Sequence, residues 1–227
     1  INMTLKAVFF GSIGSFSETS KLQLDSFNES MKLNKINQVW NEKEYIEYLN
    51  ITGGFNRLKK ILSGQGDEKL LRKIHYDKTK IFQKKILESG YLIRSGFEDL
   101  CNELLENNIF IGIASTTSIT TIENILLGLK SIKMSDFSFI SHSGTVSKQK
   151  PDPQVYQICL KELKVKEIES VAFEDTTSSL NAAISAGIKG ISVPGDLSLN
   201  QDFSMAHVNL TKFSDINFNA LKKLVFS

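Results

Sequence analysis

Three short stretches of the chain carry groups able to handle an anion or a cation. The first is Ile113-Ala114-Ser115-Thr116-Thr117-Ser118. A hydroxyl directly after an apolar run, followed by a helix start, makes an anion site, because the hydroxyl and the free backbone N–H groups of Ser115 and Thr116 all donate. A plain helix N-cap would use the same residues. The second is Lys148-Gln149-Lys150-Pro151-Asp152-Pro153, where Lys150 stands just before a proline-bounded helix. It is placed either to balance phosphate charge or to sit on the surface like most lysines. The third is Val171-Ala172-Phe173-Glu174-Asp175-Thr176-Thr177. Two carboxylates directly after an apolar run hold a cation or cap the next helix, and Asp175 with oxygen co-ligands suits Mg²⁺.

These groups need elements that bring them to one place. Ala7-Val8-Phe9-Phe10, closed by Gly11, reads as a buried strand, and the Gly-Ser-Ile-Gly-Ser that follows reads as a small, flexible loop. From Ser95 onward apolar runs alternate with helical patterns. Strands are expected at 109–114, 137–140, 170–173 and 190–193, with a short last one at 208–210. Helices are expected from Phe97, over 117–129, over 152–163 with Pro153 in the first turn, and up to Ala186. Such alternation implies an α/β fold, a Rossmann-like parallel sheet covered on both faces. Between Glu18 and Gly90 the pattern is helical with no convincing strand, and Asp67 is a good N-cap for its longest helix. This block reads as an inserted all-helical cap over the carboxyl edge of the sheet. The expected division is a core of residues 1–17 and 91–227 with a cap of residues 18–90.

Bulk properties narrow the partners. The chain has 227 residues, 41% of them hydrophobic, enough for a full core. Its 27 basic and 25 acidic residues are interspersed and leave a net charge of +2, which favours neither nucleic acid nor a membrane surface. Cys101 and Cys159 lie far apart in helical patterns and have no Cys-x-x-Cys neighbour, so they read as buried structural thiols. No apolar run reaches the length of a membrane span, and the short one near the start lacks a cleavage site. A cytoplasmic protein is expected, or an organelle-stroma one if a transit segment precedes this sequence.

In order and spacing, the three stretches resemble motifs two, three and four of the haloacid dehalogenase superfamily. That resemblance implies that Ser115 binds a transferring phosphoryl group, Lys150 neutralises it, and Asp175 with Glu174 serves Mg²⁺. The helical block is similar to that of CbbY-type phosphatases, relatives of β-phosphoglucomutase that hydrolyse a sugar bisphosphate. The similarity lies in Trp40-Asn41, Tyr45, Leu49, Thr52-Gly53-Gly54-Phe55-Asn56-Arg57-Leu58 and Arg94-Ser95-Gly96. It implies Arg57 as a ligand for a distal phosphate, Gly53 and Gly54 as a loop approaching substrate, and Tyr45 and Glu18 as sugar contacts. Phe55 stands where the subgroup has a lysine.

The first motif departs from the family. Its two catalytic aspartates, nucleophile and general acid/base, fall on Gly11 and Ile13, while Gly14, Ser15 and Glu18-Thr19 follow the pattern. Glycine cannot form an acyl phosphate and isoleucine cannot protonate a leaving group. Ser12 is one residue away, but strand alternation aims it elsewhere. The resemblance therefore implies a CbbY-like protein that has lost hydrolysis, binds Mg²⁺ weakly, and keeps a seat for phosphate or a phosphorylated sugar. Two other readings stay open: a Mg²⁺-dependent sugar phosphatase using displaced residues, and a protein-interaction module with a vestigial pocket.

Overall fold

The computed structural model describes residues 4–11, 13–90 and 92–226. Six strands form one sheet: β1 (Ala7–Phe10), β2 (Phe110–Ala114), β3 (Phe139–Ser141), β4 (Ser170–Glu174), β5 (Lys189–Ser192) and β6 (Val208–Asn209). Their order is β3-β2-β1-β4-β5-β6 and every pair is parallel. β1 and β4 are buried along their whole length, which is why β1 and residues 171–173 of β4 read as apolar runs. The order reverses at β1, between β2 and β4, so a crevice opens at the carboxyl ends of these three strands.

The loop expected after β1 turns helical at Ile13–Phe16, which form one turn, α1. Four helices follow before the chain returns to the sheet: α2 (Ser20–Leu33), α3 (Glu42–Tyr48), α4 (Gly54–Ile61) and α5 (Glu68–Glu88). Asp67 caps α5 through Leu70 N–H, as its position predicts, and Asn41 with Glu44 closes a capping box on α3. This block has its own apolar cluster, in which Phe27, Trp40, Tyr45, Leu58 and Ile74 are buried together with Leu197 from outside the block. Where the chain enters and leaves the block, Ser17 and Ile93 form an antiparallel bridge.

The remaining helices are α6 (Phe97–Glu106), α7 (Ile119–Leu126), α8 (Gln154–Leu163), α9 (Thr177–Ser185) and α10 (Phe218–Phe226). α7 is shorter than its pattern predicts, because Ser118 is its N-cap and the chain turns after Leu126. In α8 Pro153 is the N-cap rather than a first-turn residue. One face of the sheet packs on Phe97, Leu100, Ile122 and Leu221, the other on Val155, Tyr156, Cys159 and Ala183. Cys101 and Cys159 are both buried and free, and burial pushes the Cys159 thiol up to about 12. No helix among the described residues is long and apolar enough to cross a membrane.

Candidate active site

A cavity of about 630 Å³ lies between the helical block and the carboxyl ends of β1, β2 and β4. From the sheet side it is lined by Ile13, Gly14, Ser115, Thr116, Lys150 and Asp175. From the helical side it is lined by Tyr45, Gly53, Gly54 and Arg57, with Glu18 at the junction. The residues singled out from sequence therefore meet around one space, with two exceptions: Gly11 and Glu174 do not wall it.

These two are packed against each other instead. Glu174 is wholly buried, and a Cβ built on Gly11 falls inside the Glu174 carboxylate. Position 11 has room for glycine only because that carboxylate fills the space a side chain would take. Glu174 Oε1 accepts from Lys150 Nζ at 2.6 Å and from the Tyr156 hydroxyl at 2.5 Å. Burial, with the Glu174 carboxylate beside it, pushes the Tyr156 phenol well above its ordinary range, so this hydroxyl remains a donor. Glu174, expected at a metal, is the counter-ion of Lys150 in this structure. The expected role of Lys150 changes with it, since its ammonium, 3% exposed, is already met by a carboxylate. Gly14 repeats the relation one turn on, as a Cβ there would fall inside the Asp175 carboxylate.

Gly11 does not have a positive φ; among the described residues the left-handed glycines are 53, 64, 90, 96 and 187. Ile13 packs into the sheet core at 6% exposure while also facing the cavity. Ser12 lies outside the described residues. Ser115 Oγ accepts from Thr117 N–H at 3.1 Å, and the Ser118 hydroxyl caps α7 through Thr121 N–H. The cluster is thus both a helix cap and a row of hydroxyls facing the cavity.

On the helical side Arg57 is 8% exposed. Its guanidinium donates to Tyr48 O at 2.9 Å, Ile51 O at 3.1 Å and the Tyr45 hydroxyl at 3.3 Å. Three of its five N–H groups are spent within the protein. Arg57, expected as a ligand for a distal phosphate, lines the cavity while these bonds tie its charge to the backbone at residues 48 and 51. Glu18, expected as a sugar contact, lines the cavity and is held by Arg94 at 3.2 Å, Asp196 N–H at 3.0 Å and Ser20. Burial alone would push its carboxyl up, but the bonds from Ser20 and Asp196 and the Arg94 charge together hold it below the usual range.

Sequence reading missed two residues of this wall, His75 and Lys78 on α5. Lys78 is 7% exposed, with its ammonium on the Gln23 side-chain oxygen and 4.7 and 4.8 Å from the Phe27 and Phe82 ring centres. Burial, then the Arg57 charge, brings its pKa down to about 7. Burial, then Lys78 and Arg57, brings His75 down to about 4. Among the described residues no ion pair joins Arg57 or Lys78 to a carboxylate. The signal was present, as His75 and Lys78 share a helix face at a three-residue spacing, but a long polar helix offers many such pairs.

The residues at the strand ends do not fit Mg²⁺. Position 11 has no carboxylate, position 13 is apolar, and Glu174 is engaged by Lys150 and Tyr156. Among the described residues Asp175 is the one carboxylate on that wall, and there is no convergent group of three or more His, Cys, Asp or Glu among them.

A parallel sheet reversing at β1, a helical block over its carboxyl edge, a hydroxyl after β2, a lysine in the loop before α8 and a carboxylate after β4 define a haloacid dehalogenase-like architecture. The chain belongs to the haloacid dehalogenase-like hydrolase family, whose model matches residues 14–193. Its resemblance within that family lies with the CbbY-type subgroup. It is 31% identical to protein CbbY of Cereibacter sphaeroides over 93% of this chain and 94% of that protein. CbbY from Rhodobacter capsulatus is 27% identical over 98% of this chain and all of that one. The crystal structure of CbbY from Rhodobacter sphaeroides in complex with phosphate superposes with a TM-score of 0.86, at 30% identity, covering 96% of this chain and 99% of that chain. A substituted form of the same protein, in complex with xylulose-1,5-bisphosphate, superposes equally well at 29% identity.

Proposed function

We propose that this protein binds a phosphorylated sugar in the cavity and does not hydrolyse it. One observation carries the reading: the Glu174 carboxylate, bonded to Lys150, stands in the space that a nucleophile's side chain at position 11 would need. Hydrolysis in this family requires a carboxylate there to take the phosphoryl group, and the buried Glu174 does not face the cavity to replace it. Ile13 offers no proton to a leaving oxygen. Losing nucleophile and acid together removes on the order of 10⁴–10⁶ of rate in enzymes where such groups act as a unit. Binding is favoured by what remains, the hydroxyls of Ser115 and Thr116 on one wall and the charges of Lys78 and Arg57 on the other. In this reading residues 18–90 form a cap that closes the cavity, docked to the core through contacts such as Thr52 with Ser178 at 2.5 Å.

The test uses xylulose 1,5-bisphosphate and xylulose 5-phosphate as probes, the former because a CbbY relative is seen with it. Phosphate release in millimolar Mg²⁺ should stay at background, while calorimetry should detect binding of at least one of the two sugars. Mg²⁺-dependent release by the unmodified protein would overturn the proposal and favour an active phosphatase with displaced residues.

A further inference from the structure

The surroundings of Lys78 work against its charge. The side chain is 7% exposed and lies on the cavity wall with Gln23, Arg57 and Phe82. One N–H of its Nζ donates to the Gln23 side-chain oxygen, and the Phe27 and Phe82 rings close on it at 4.7 and 4.8 Å. The rings attract an ammonium, yet burial and then the Arg57 charge outweigh them and bring the group down to about 7. Near neutral pH much of Lys78 is therefore a free amine, a nucleophile on the wall of a space open to small molecules. His75 beside it, at about 4, is uncharged there.

Arg57 has the opposite need. It packs on the same Phe27 ring, 5.7 Å from its centre. Three of its five N–H groups go to Tyr48 O, Ile51 O and the Tyr45 hydroxyl. None of these acceptors is charged, since burial holds the Tyr45 phenol above its ordinary range. Among the described residues no ion pair joins Arg57 or Lys78 to a carboxylate. A buried guanidinium without an anion is costly.

We propose that Lys78 takes up carbon dioxide as a carbamate, whose carboxylate becomes the anion paired with Arg57. The Nζ lone pair adds to the carbon, an N–C bond forms, one C=O bond opens to C–O⁻, and the proton released from nitrogen passes to water. The step is reversible. Carbon dioxide is neutral and apolar, so it reaches an amine held between two phenyl rings at less desolvation cost than bicarbonate. This modification goes beyond the ligand-binding reading and does not depend on it.

The test uses ¹³C-labelled bicarbonate with the unmodified protein near pH 8. Carbon NMR should show a carbamate signal, and alkylation with a trialkyloxonium salt followed by peptide mass spectrometry should place the trapped carboxylate on Lys78. Lys78→Met should lose the signal while circular dichroism shows the variant folded. Arg57→Gln should lower the occupancy about tenfold at fixed dissolved carbon dioxide, the order of effect for removing a cation near a new anion in a cavity open to water. No carbamate signal in the unmodified protein, or trapping confined to other amines, would overturn the proposal. Undiminished occupancy in Arg57→Gln would overturn the pairing on which it rests.

Discussion

At the scale of single residues, the pairing of Gly11 with Glu174 sets what substitution can do. Gly11→Asp places a Cβ and a second carboxylate where Glu174 already lies, so this variant should be less stable than the parent and should show no phosphatase activity. Replacing Glu174 with Ala in the same chain vacates the space and lets the new aspartate take over Lys150. The pair of changes should therefore be more stable than Gly11→Asp alone, with a coupling of about 1–3 kcal/mol by urea denaturation. Strict additivity would show that the two positions do not share that space. Ile13→Asp is costly for a different reason, since it forfeits about 1.5–3 kcal/mol of buried apolar surface and puts a charge into the sheet core. Restoring both aspartates without touching Glu174 should accordingly give a poorly folded protein rather than an enzyme.

The elements show what a sequence discloses and what it hides. β1, β2 and β4 were legible because buried parallel strands are rich in apolar residues, and the α5 start because Asp67 caps it. The meeting of Ser115 and Asp175 followed from strand ends that share one edge, and that of Lys150 from its place beside the start of α8. The Glu174–Lys150–Tyr156 cluster was not legible: nothing in a chain of letters shows that a carboxylate 24 residues from a lysine turns inward to meet it. α10 was missed because its apolar residues trail the last recognisable strand, and α1 because a one-turn helix has no period to detect. Two predictions belong here. Asn41→Ala breaks the capping box of α3 and should cost about 0.5–2 kcal/mol in stability, read by denaturant titration. α5 should also make stability depend on pH. The unfolded chain holds a proton on Lys78 up to 10.5 but the folded chain only to about 7, so the contribution of Lys78 to stability rises with pH between those values. For His75 the window runs from 6.5 down to about 4, and stability is lost as pH falls through it. Thermal melts of parent and Lys78→Met should diverge above pH 7, the parent gaining on the variant as pH rises. Parallel curves would place the Lys78 ammonium in water.

For the whole molecule the expectation concerns metal. A protein whose site fits Mg²⁺ gains stability from it by mass action. Here neither millimolar Mg²⁺ nor excess EDTA should move the melting temperature measurably, because among the described residues Asp175 is the one carboxylate on the sheet wall of the cavity. A clear upward shift with Mg²⁺ would mean that Glu174 leaves Lys150 to join a metal.

The space shared by positions 11 and 174 also bears on heredity. An aspartate arriving at position 11 by chance meets an occupied site, and a change at Glu174 alone leaves Lys150 buried without its counter-ion. Each first step is worse than the start, and only the two together escape the loss. A lineage carrying this arrangement faces a valley on the road to a working nucleophile, so selection for catalysis has no smooth path back through these two codons.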